Sequence, residues 1–261
     1  MQFVRFLHGA ETAFGVLEGD QIRVYSGDMF DRPTATGRSL ARASVKLLPP
    51  CNPAGMIALW NNSKCQIAKL NRETPKEALY FYKPAASFAT DHDPILYPVG
   101  KAQRVVLEGE IGIVVGKRCR NVKPAEAGNV IFGYTVINDI TAQDVVGRDK
   151  TFPQYTRGKG FDSFSIFGPV VDTTVDPMIL RIRSSINGRV CQDYPVTDLA
   201  LDPFHIVASI SDTMTLVPGD VIACGTSLGA DPIKVGDTVE IRIDGIGALV
   251  NRVVADDGNS R

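Results

Sequence analysis

The chain has 261 residues, a formal net charge of −1, and a composition that is 44% hydrophobic and 22% charged. These values exclude a disordered or fibrous chain and indicate one large globular domain, alone or with a small appendage. Because acidic and basic residues are interspersed and nearly balanced, we expect a small-molecule partner and neither nucleic acid nor an anionic membrane.

The sequence also bears on the compartment in which the protein works. No apolar stretch approaches the ~20 residues that span a bilayer, and the start MQFVRFLHGAETAFG lacks the regions of a signal peptide. We therefore predict a cytoplasmic protein. The five cysteines never form a C-x-x-C pair, so free thiols are expected. The three histidines lie far from any serine nucleophile motif, which disfavours a Ser/His/Asp hydrolase.

Turn signals and apolar patterns predict the elements in chain order. Residues 1 to about 50 read as an antiparallel meander that ends at a group of prolines. The segment from Met56 to about Arg72 has a helical pattern, and KEALYFYKP is predicted to be a strand closed by Pro84. Strands dominate after Val105, with a short helix at VKPAEAGNV and a helical or turn segment near residue 210. Two Gly-Asp turns near the C-terminus predict two hairpin-forming strand groups.

The run VVLEGEIGIVVGK contains two carboxylates, Glu108 and Glu110, one residue apart. Read as a strand, it places five apolar side chains on one face, which predicts the core: Val105, Leu107, Ile111, Ile113 and Val115. Glu108 and Glu110 then share the other face, ~7 Å apart along the strand. A divalent cation between them would offset the cost of burying them, and Asp139, at the end of NVIFGYTVIND, could supply a third oxygen.

Each of these signals also has a plain structural interpretation. Glu108 and Glu110 could lie on a solvent-facing strand, with Asp139 as a strand-end residue. Lys159, flanked by glycines in RGKGFDSF, could touch a ligand or be a surface cation on a loop. Thr226 and Ser227 in CGTSLG could form a carboxylate cradle or a simple turn.

The order of the motifs is more specific than any one of them. The chain carries in succession LEGEIGIVVGK, FGYTVINDITAQD, GKGFDSFSIFGPVV, SINGRVCQDYPVTDL, MTLVPGDVIACGTSLG and VGDTVEIRIDGIGALVN. From about Pro53 onward this succession closely resembles the fumarylacetoacetate hydrolase superfamily. The resemblance implies an α+β, β-rich fold, a mixed β-roll over residues 53–261 with a small N-terminal β domain over residues 1–52. It also implies a homodimer.

The resemblance assigns roles to the conserved motif positions of that family. It implies that Glu108, Glu110 and Asp139 bind Mg²⁺ or Mn²⁺. It implies that Lys159 contacts the substrate near the metal, and that Thr226 holds the substrate carboxylate. Ser227 follows in the same loop, and Lys83 in LYFYKPAASF matches a further lysine near the site.

The chain departs from the family pattern in two places. Hydrolases of the family place a His and, three residues later, a Glu on a lid helix, where they activate water; here the segment reads WNNSKCQIAKL. Lys64 stands near the position of the His and is either a replacement base or an exposed helix lysine. Gln143 and Val146 stand where the family has an Arg and a Gln, so Gln143 is predicted to contact the substrate without a charge. This disfavours a dianionic substrate such as oxaloacetate.

The resemblance and the departures together define the expected chemistry. A 2-oxo acid or β-dicarbonyl chelated by the metal can form an enolate, which is common to C–C hydrolysis, decarboxylation, tautomerisation and hydration. We expect C–C cleavage, by hydrolysis or decarboxylation, in the breakdown of aromatic or related carbon sources. The alternatives are an isomerase, tautomerase or hydratase of 2-hydroxydienoate-type acids, and a non-catalytic, metal-stabilised homologue.

Overall fold

The protein is described over residues 1–256 by a computed structural model, in which strands dominate. The strands of the first half are β1 Gln2–His8, β2 Glu11–Glu18, β3 Gln21–Asp28, β4 Asp31–Ala41, β5 Lys46–Leu48, β6 Gly55–Trp60, β7 Leu79–Pro84, β8 Phe88–Ala89, β9 Ile95–Pro98, β10 Val105–Val106, and β11 Gly109–Val115. Those of the second half are β12 Ile131–Asp139, β13 Thr141–Ala142, β14 Ser165–Asp172, β15 Arg181–Ile186, β16 Arg189–Pro195, β17 Val221–Ala223, β18 Thr238–Ile243, and β19 Gly247–Asp256.

Helices are short and lie in the connections between strands. The α-helices are α1 Lys64–Lys69, α2 Pro124–Ala127, α3 Gln143–Val146, α4 Tyr155–Lys159 and α5 Pro203–Thr213, and single 3₁₀ turns cover Arg42–Ser44, Ala85–Ser87, Pro177–Ile179 and Val196–Asp198. The longest, α5, begins after Asp202, whose carboxylate accepts hydrogen bonds from the amides of Phe204 and His205. Within residues 1–256, no helix has the length and apolar character that crossing a bilayer requires.

A large mixed sheet forms the body of the molecule. Its strand order is β4-β3-β2-β1-β14-β12-β11-β17-β6-β7, with β5 also paired to β1 and β8 to β14. The N-terminal meander joins this sheet edge to edge, because β1 pairs antiparallel with β14 through Gln2 opposite Asp172 and Phe3 opposite Val171. The β-rich α+β fold expected from the sequence is confirmed.

A second sheet covers one face of the large one. Its order is β16-β15-β18-β19-β9, and β10 and β13 form a separate two-stranded ladder. The main core lies between the two sheets, where Ile111 and Ile113 of β11 join one cluster with Ile241 of β18 and Leu249 of β19. Burial of such side chains is worth about 1.5–3 kcal/mol each, which makes this layer the main source of stability.

The alternation along β11 follows the predicted pattern. All five residues predicted for the core face, Val105, Leu107, Ile111, Ile113 and Val115, belong to the core between the sheets. The opposite face of β11 is also covered, since Val114 packs with Ile137 and Phe167 in a second cluster. Glu108 and Glu110 share that second face, so they lie in the interior and the solvent-facing interpretation is wrong for Glu110.

Two elements differ from the sequence prediction. Residues Gly55–Trp60, expected to start a helix, form strand β6 between β17 and β7, and only Lys64–Lys69 is helical. The cause is burial on both faces of β6, which gives a continuous apolar run without the period of a strand. Strand β17 does not form a hairpin either, because it lies between β11 and the parallel β6. The strand ending at Pro84, the short helix at Pro124–Ala127 and the helix near residue 210 are as predicted, and all five cysteines are free.

Candidate metal centre and substrate cavity

Three carboxylates meet at one end of the large sheet. Glu108 directly precedes β11, Glu110 is the second residue of β11, and Asp139 is the last residue of the neighbouring β12. The antiparallel register places Gly109 opposite Asn138, and the amide of Asp139 donates to the carbonyl of Glu108 over 2.8 Å. One oxygen from each of the three carboxylates lies within 4.8 Å of the other two. The residues predicted as metal ligands are thus brought together.

These carboxylates are largely withdrawn from water. The side chains of Glu108 and Asp139 are 14% and 1% exposed, and Glu110 as a residue is 1% exposed. Burial raises the pKa of both Glu108 and Glu110, and most strongly that of Glu110, whose one hydrogen bond comes from the amide of Gly225 over 2.6 Å. Within residues 1–256 no lysine forms an ion pair with Glu110, so its buried carboxylate is poorly compensated.

Two buried lysines supply part of the missing positive charge. The Lys159 ammonium donates to Glu108 Oε2 over 2.8 Å and to Asp139 Oδ2 over 2.5 Å. The Lys83 ammonium donates to Asp139 Oδ1 and, over 2.7 Å, to the carbonyl of Phe164. Burial alone would raise the pKa of Asp139, but the two lysines outweigh it and the pKa lies below its usual range. Asp139 is therefore an ionised carboxylate at neutral pH.

Burial acts in opposite ways on the two lysines. It lowers the pKa of Lys83, and Asp139 only partly offsets this effect. Lys159 faces all three carboxylates, which outweigh its burial and raise its pKa above the usual range. Lys159 is thus a fixed cation that lines the cavity, whereas Lys83 is fully buried behind Asp139. Lys83, which the family resemblance places near the site, holds a carboxylate in place there, and its contact with substrate stays a prediction.

The site residues fit a divalent cation. Counted as fully ionised, the three carboxylates exceed the two ammonium groups of Lys83 and Lys159 by one negative charge, and the raised pKa of Glu108 and Glu110 shows that burial disfavours this charge unless a cation binds. All the candidate donor atoms are hard carboxylate oxygens, the type that Mg²⁺ and Mn²⁺ prefer. Glu110 forms no ion pair with a lysine in the described residues 1–256, so its carboxylate would gain most from such a cation.

Lys159 is the last residue of the short helix α4, whereas its flanking glycines predicted a loop. Helix α4 approaches α3 so closely that a Cβ at Gly158 would lie 2.4 Å from Val146 Cγ2 and 3.0 Å from the carbonyl oxygen of Ala142. Only glycine permits this approach. The close contact of α4 with α3 sets where the Lys159 ammonium meets the carboxylates.

The loop after β17 contributes Thr226 to the cavity. Its hydroxyl donates to the carbonyl of Gly109 over 3.0 Å and accepts from the amide nitrogen of Gln192 over 2.8 Å. Gln192, fully buried, also accepts from the amide of Gly109 over 3.0 Å. Sequence analysis assigned no role to Gln192, which fixes this loop against the carboxylate strand.

Ser227 and Lys64 do not reach the cavity. The Ser227 hydroxyl is buried and donates to Asp198 Oδ2 over 2.7 Å, and the prediction that Ser227 binds substrate stays a prediction. Lys64 is exposed, its ammonium donates to the carbonyl of Thr197 over 2.7 Å, and it borders a separate surface depression. Lys64 is the first residue of α1, and its role as a base stays a prediction.

Gln66 is the polar residue of α1 that faces the cavity. Its backbone amide donates to the Ser63 hydroxyl over 3.1 Å, and its side-chain amide donates to the carbonyls of Thr226 and Ser227 over 3.2 and 2.8 Å. An uncharged amide cannot accept a proton from water. Helix α1 therefore lacks a water-activating side chain on its inner face.

The cavity beside the carboxylates has a volume of about 280 Å³. Its lining residues are Leu59, Trp60, Asn61, Asn62, Gln66, Leu70, Arg72, Phe81, Glu108, Thr141, Gln143, Val146, Tyr155, Lys159, Gly225, Thr226 and Ala230. Of the residues predicted to contact substrate, Gln143, Lys159 and Thr226 line it. The side-chain oxygen Oε1 of Gln143 accepts a hydrogen bond from Arg104 Nε over 2.7 Å, so a guanidinium lies behind the neutral amide.

Three aromatic side chains form one wall of this cavity. The rings of Phe81 and Tyr155 stack with centroids 5.0 Å apart, and Trp60 meets Tyr155 edge-on at 6.5 Å. Burial raises the pKa of Tyr155 even though Lys159 and Arg72 act to lower it, so its phenol is protonated at neutral pH. Sequence analysis assigned no role to Tyr155, although its spacing of four from Lys159 places both on one face of a helix.

Comparison with known proteins places this site in a family. The model of the fumarylacetoacetate (FAA) hydrolase C-terminal family matches residues 55–254, and an Rv2993c-like N-terminal model matches residues 1–50. The chain is 34% identical over 226 residues to the mitochondrial oxaloacetate tautomerase fahd2 of Xenopus laevis, covering 82% of this chain and 70% of that protein.

Solved structures of the same fold span two types of reaction. A 5-carboxymethyl-2-hydroxymuconate delta-isomerase from Mycobacterium smegmatis is 36% identical, with a TM-score of 0.91 over 98% of this chain and 100% of that one. A maleylpyruvate hydrolase from Sphingobium sp. SYK-6, solved with manganese(II) and pyruvate, is 26% identical, with a TM-score of 0.80 over 98% and 100%.

Proposed function

Because this chain belongs to the fumarylacetoacetate hydrolase family, we propose that it is a divalent-metal-dependent isomerase that interconverts the enol and keto forms of a 2-oxo acid. One observation supports this reaction above the others. In the described part of the chain, the cavity is lined by a protonated phenol, Tyr155, and by no histidine. Its one lining carboxylate, Glu108, is held by Lys159. Among its lining side chains the site offers a proton donor and no free base that would activate water.

Glu108, Glu110 and Asp139 would hold Mg²⁺ or Mn²⁺. When bound, such a cation polarises a carbonyl group and favours the build-up of negative charge on its oxygen. Lys83 supports this arrangement from behind, because its ammonium keeps Asp139 ionised and oriented.

Lys159 provides a second source of positive charge inside the cavity. Its ammonium is fixed by Glu108 and Asp139, so it does not need to reorganise when negative charge develops nearby. The same cation attracts the carboxylate or the enol oxygen of a 2-oxo acid. Thr226 and Gln143 provide neutral polar contacts on the adjoining walls.

Tyr155 is the group that we assign to proton transfer. In the ketonisation direction its phenol gives a proton to carbon 3 of the enol, and the enol hydroxyl loses its proton to the phenolate or to solvent. The reaction conserves all atoms and electrons, and it needs no water molecule as a nucleophile. General acid assistance of this kind contributes about 10²- to 10⁴-fold in rate.

Decarboxylation is a second candidate, because it also forms an enolate without activated water. The sequence predicted C–C cleavage by hydrolysis or by decarboxylation, and decarboxylation is the one of the two that this cavity supports. Hydrolysis, the other type, would require a base in the place that the neutral Gln66 occupies.

The test compares three reactions of one enzyme preparation loaded with Mg²⁺ or Mn²⁺. Ketonisation is followed by loss of the enol absorbance of oxaloacetate, decarboxylation by release of CO₂, and hydrolysis by cleavage of acetylpyruvate. We expect metal-dependent ketonisation with the highest kcat/KM, loss of activity on chelation, and slow hydrolysis. Hydrolysis of acetylpyruvate as fast as ketonisation would overturn the proposal.

A further inference from the structure

A buried carboxylate outside the metal centre joins two separate segments of the cavity. Asp198, in the connection between β16 and α5, accepts hydrogen bonds at Oδ2 from the hydroxyls of Ser63 and Ser227, each over 2.7 Å. Its Oδ1 accepts from the backbone amide of Cys65 over 3.0 Å. Ser63 and Cys65 belong to the start of α1, whereas Ser227 belongs to the loop 225–229 after β17. One side chain therefore bonds to both α1 and this loop.

Asp198 holds these donors as an ionised carboxylate. Burial alone would raise its pKa, but hydrogen bonds from Cys65, Ser227 and Ser63 outweigh this effect and keep the pKa below its usual range. Hydrogen bonds to an ionised acceptor are stronger than those between neutral groups. An asparagine of the same size would present an NH₂ group to at least one of the three donors. The arrangement thus depends on the carboxylate and not only on the volume of the side chain.

Asn62 adds a second link between the same parts of the chain. Its side-chain amide donates to the carbonyls of Cys224 and Leu201 over 2.8 and 3.0 Å, and its side-chain oxygen accepts from the amide of Leu201 over 2.8 Å. The Ser63 hydroxyl, which donates to Asp198, also accepts from the amide of Gln66 and so caps α1. All of these contacts lie within the protein, so they hold α1 whether or not a substrate is bound.

Residues 62–69 and 225–229 together form what we call the α1 wall of the cavity. Four residues of this wall line the cavity beside the metal centre: Asn62, Gln66, Gly225 and Thr226. Asp198 lies behind the wall and is not among the described residues that line the cavity. It can therefore act on a substrate only through the groups that it holds in place.

We propose that Asp198 is a positioning residue, which holds α1 and the loop 225–229 as one wall that is formed before the substrate binds. The inference rests on the proposed function, because the wall faces the 2-oxo acid at the metal centre. With the wall already ordered, the free energy of substrate binding is not reduced by the entropy of ordering α1.

Hydrogen exchange of the backbone amides in residues 61–70 tests the order of the wall directly. The Mg²⁺-loaded enzyme is measured with and without oxalate, a bidentate analogue of a 2-oxo acid. We expect the parent to be protected without oxalate and to gain little protection from it. In Asp198→Ala these amides should exchange about tenfold or more faster, and oxalate should restore part of the protection. Asp198→Asn, which keeps the size of the side chain, should show the same change to a smaller extent.

Asp202→Ala is the matched control, because it removes a carboxylate that caps α5 through the amides of Phe204 and His205. It should leave the exchange of residues 61–70 as in the parent. If residues 61–70 of the parent exchange freely and become protected only with oxalate, the inference is overturned. It is also overturned if Asp198→Ala and Asp198→Asn exchange like the parent, or if Asp202→Ala exposes residues 61–70 as much as Asp198→Ala does.

Calorimetry separates positioning of the wall from a general loss of structure. In Asp198→Asn the dissociation constant of oxalate should rise about tenfold, while that of Mg²⁺ stays close to the parent value, because the three carboxylates lie on β11, β12 and the residue before β11. Equal weakening of Mg²⁺ and oxalate would indicate a general structural role and overturn the inference.

The exchange data and the turnover data fail independently. A wall that depends on Asp198, in an enzyme without enol–keto turnover of any 2-oxo acid, would overturn the proposed reaction and keep the role of Asp198. Turnover by a parent whose α1 is protected only with oxalate would overturn the role of Asp198 and keep the proposed reaction.

Discussion

Lys83 lies directly behind Asp139, with its ammonium bonded to Asp139 Oδ1 and to the carbonyl of Phe164, and its side chain is completely buried. A lysine in this place is costly to the fold unless its carboxylate partner is present. Burial lowers the pKa of Lys83, which shows the cost, and the ion pair with Asp139 offsets part of it. The candidate metal centre is therefore built on a buried charge pair that links β7 to β12.

The first prediction concerns this pair. Lys83→Met should destabilise the protein by about 3–5 kcal/mol, because it leaves Asp139 buried with one lysine partner fewer. Chemical denaturation of the metal-free protein measures the free energy of unfolding. The double variant Lys83→Met with Asp139→Asn should recover part of the loss, because the uncompensated charge is gone. A double variant as unstable as the sum of the two single variants would show that the residues act independently.

The second prediction concerns Glu110, the carboxylate without a lysine partner. Glu110→Gln should not weaken the metal-free fold, because it removes a poorly compensated buried charge and keeps an acceptor for the Gly225 amide. In the parent, Mg²⁺ at 100 times its dissociation constant should add about 2.7 kcal/mol of stability.

In Glu110→Gln the stabilisation by Mg²⁺ should be largely lost. Thermal melting with Mg²⁺ and with EDTA measures both effects, and Glu126→Gln, on the surface helix α2, is the matched control. If the melting temperature of the parent were the same with Mg²⁺ or Mn²⁺ as with EDTA, the assignment of the metal centre would be contradicted.

The carboxylate trio could be predicted because it depends on local rules. A strand period of two fixes Glu108 and Glu110 on one face, and the end of the next apolar run places Asp139. Lys64 could not be placed in this way, since the apolar pattern gave neither the start of α1, which was expected at Met56, nor the side of the helix that faces the sheet.

The aromatic wall and Arg72 depend on contacts between distant parts of the chain. Tyr155 stacks on Phe81, which lies 74 residues earlier, and no local pattern connects the two. Arg72 follows α1 in a segment of polar residues that reads as an ordinary loop. Strand β6 was mistaken for helix because both of its faces are buried, and this burial is a property of its neighbours β17 and β7.

The third prediction concerns the contact between α3 and α4. Gly158→Ala would improve the intrinsic helix propensity of α4, yet its Cβ would lie 2.4 Å from Val146 Cγ2. We expect a loss of about 1–3 kcal/mol in stability and a lower kcat, because α4 must shift and carries Lys159 with it. Gly147→Ala is the matched control, since its Cβ would meet nothing closer than 3.7 Å. Equal effects of the two substitutions on kcat would contradict the role of Gly158.

The last prediction tests proton transfer by Tyr155. Tyr155→Phe removes one oxygen and preserves the ring that stacks on Phe81, so substrate binding should change little while kcat for ketonisation falls by about 10²- to 10⁴-fold. The matched control is Tyr82→Phe, because Tyr82 is an exposed tyrosine on the same strand as Phe81 and does not line the cavity.

A solvent isotope effect on ketonisation adds a second measurement for Tyr155. We expect the parent to slow in D₂O, because a proton passes from the phenol to carbon 3 in the step that limits the rate. Tyr155→Phe should respond differently to D₂O, because bulk water must then supply the proton. If Tyr155→Phe retains the kcat and the isotope effect of the parent, the proton comes from another group, and Tyr155 serves as part of the aromatic wall between Lys159 and Arg72.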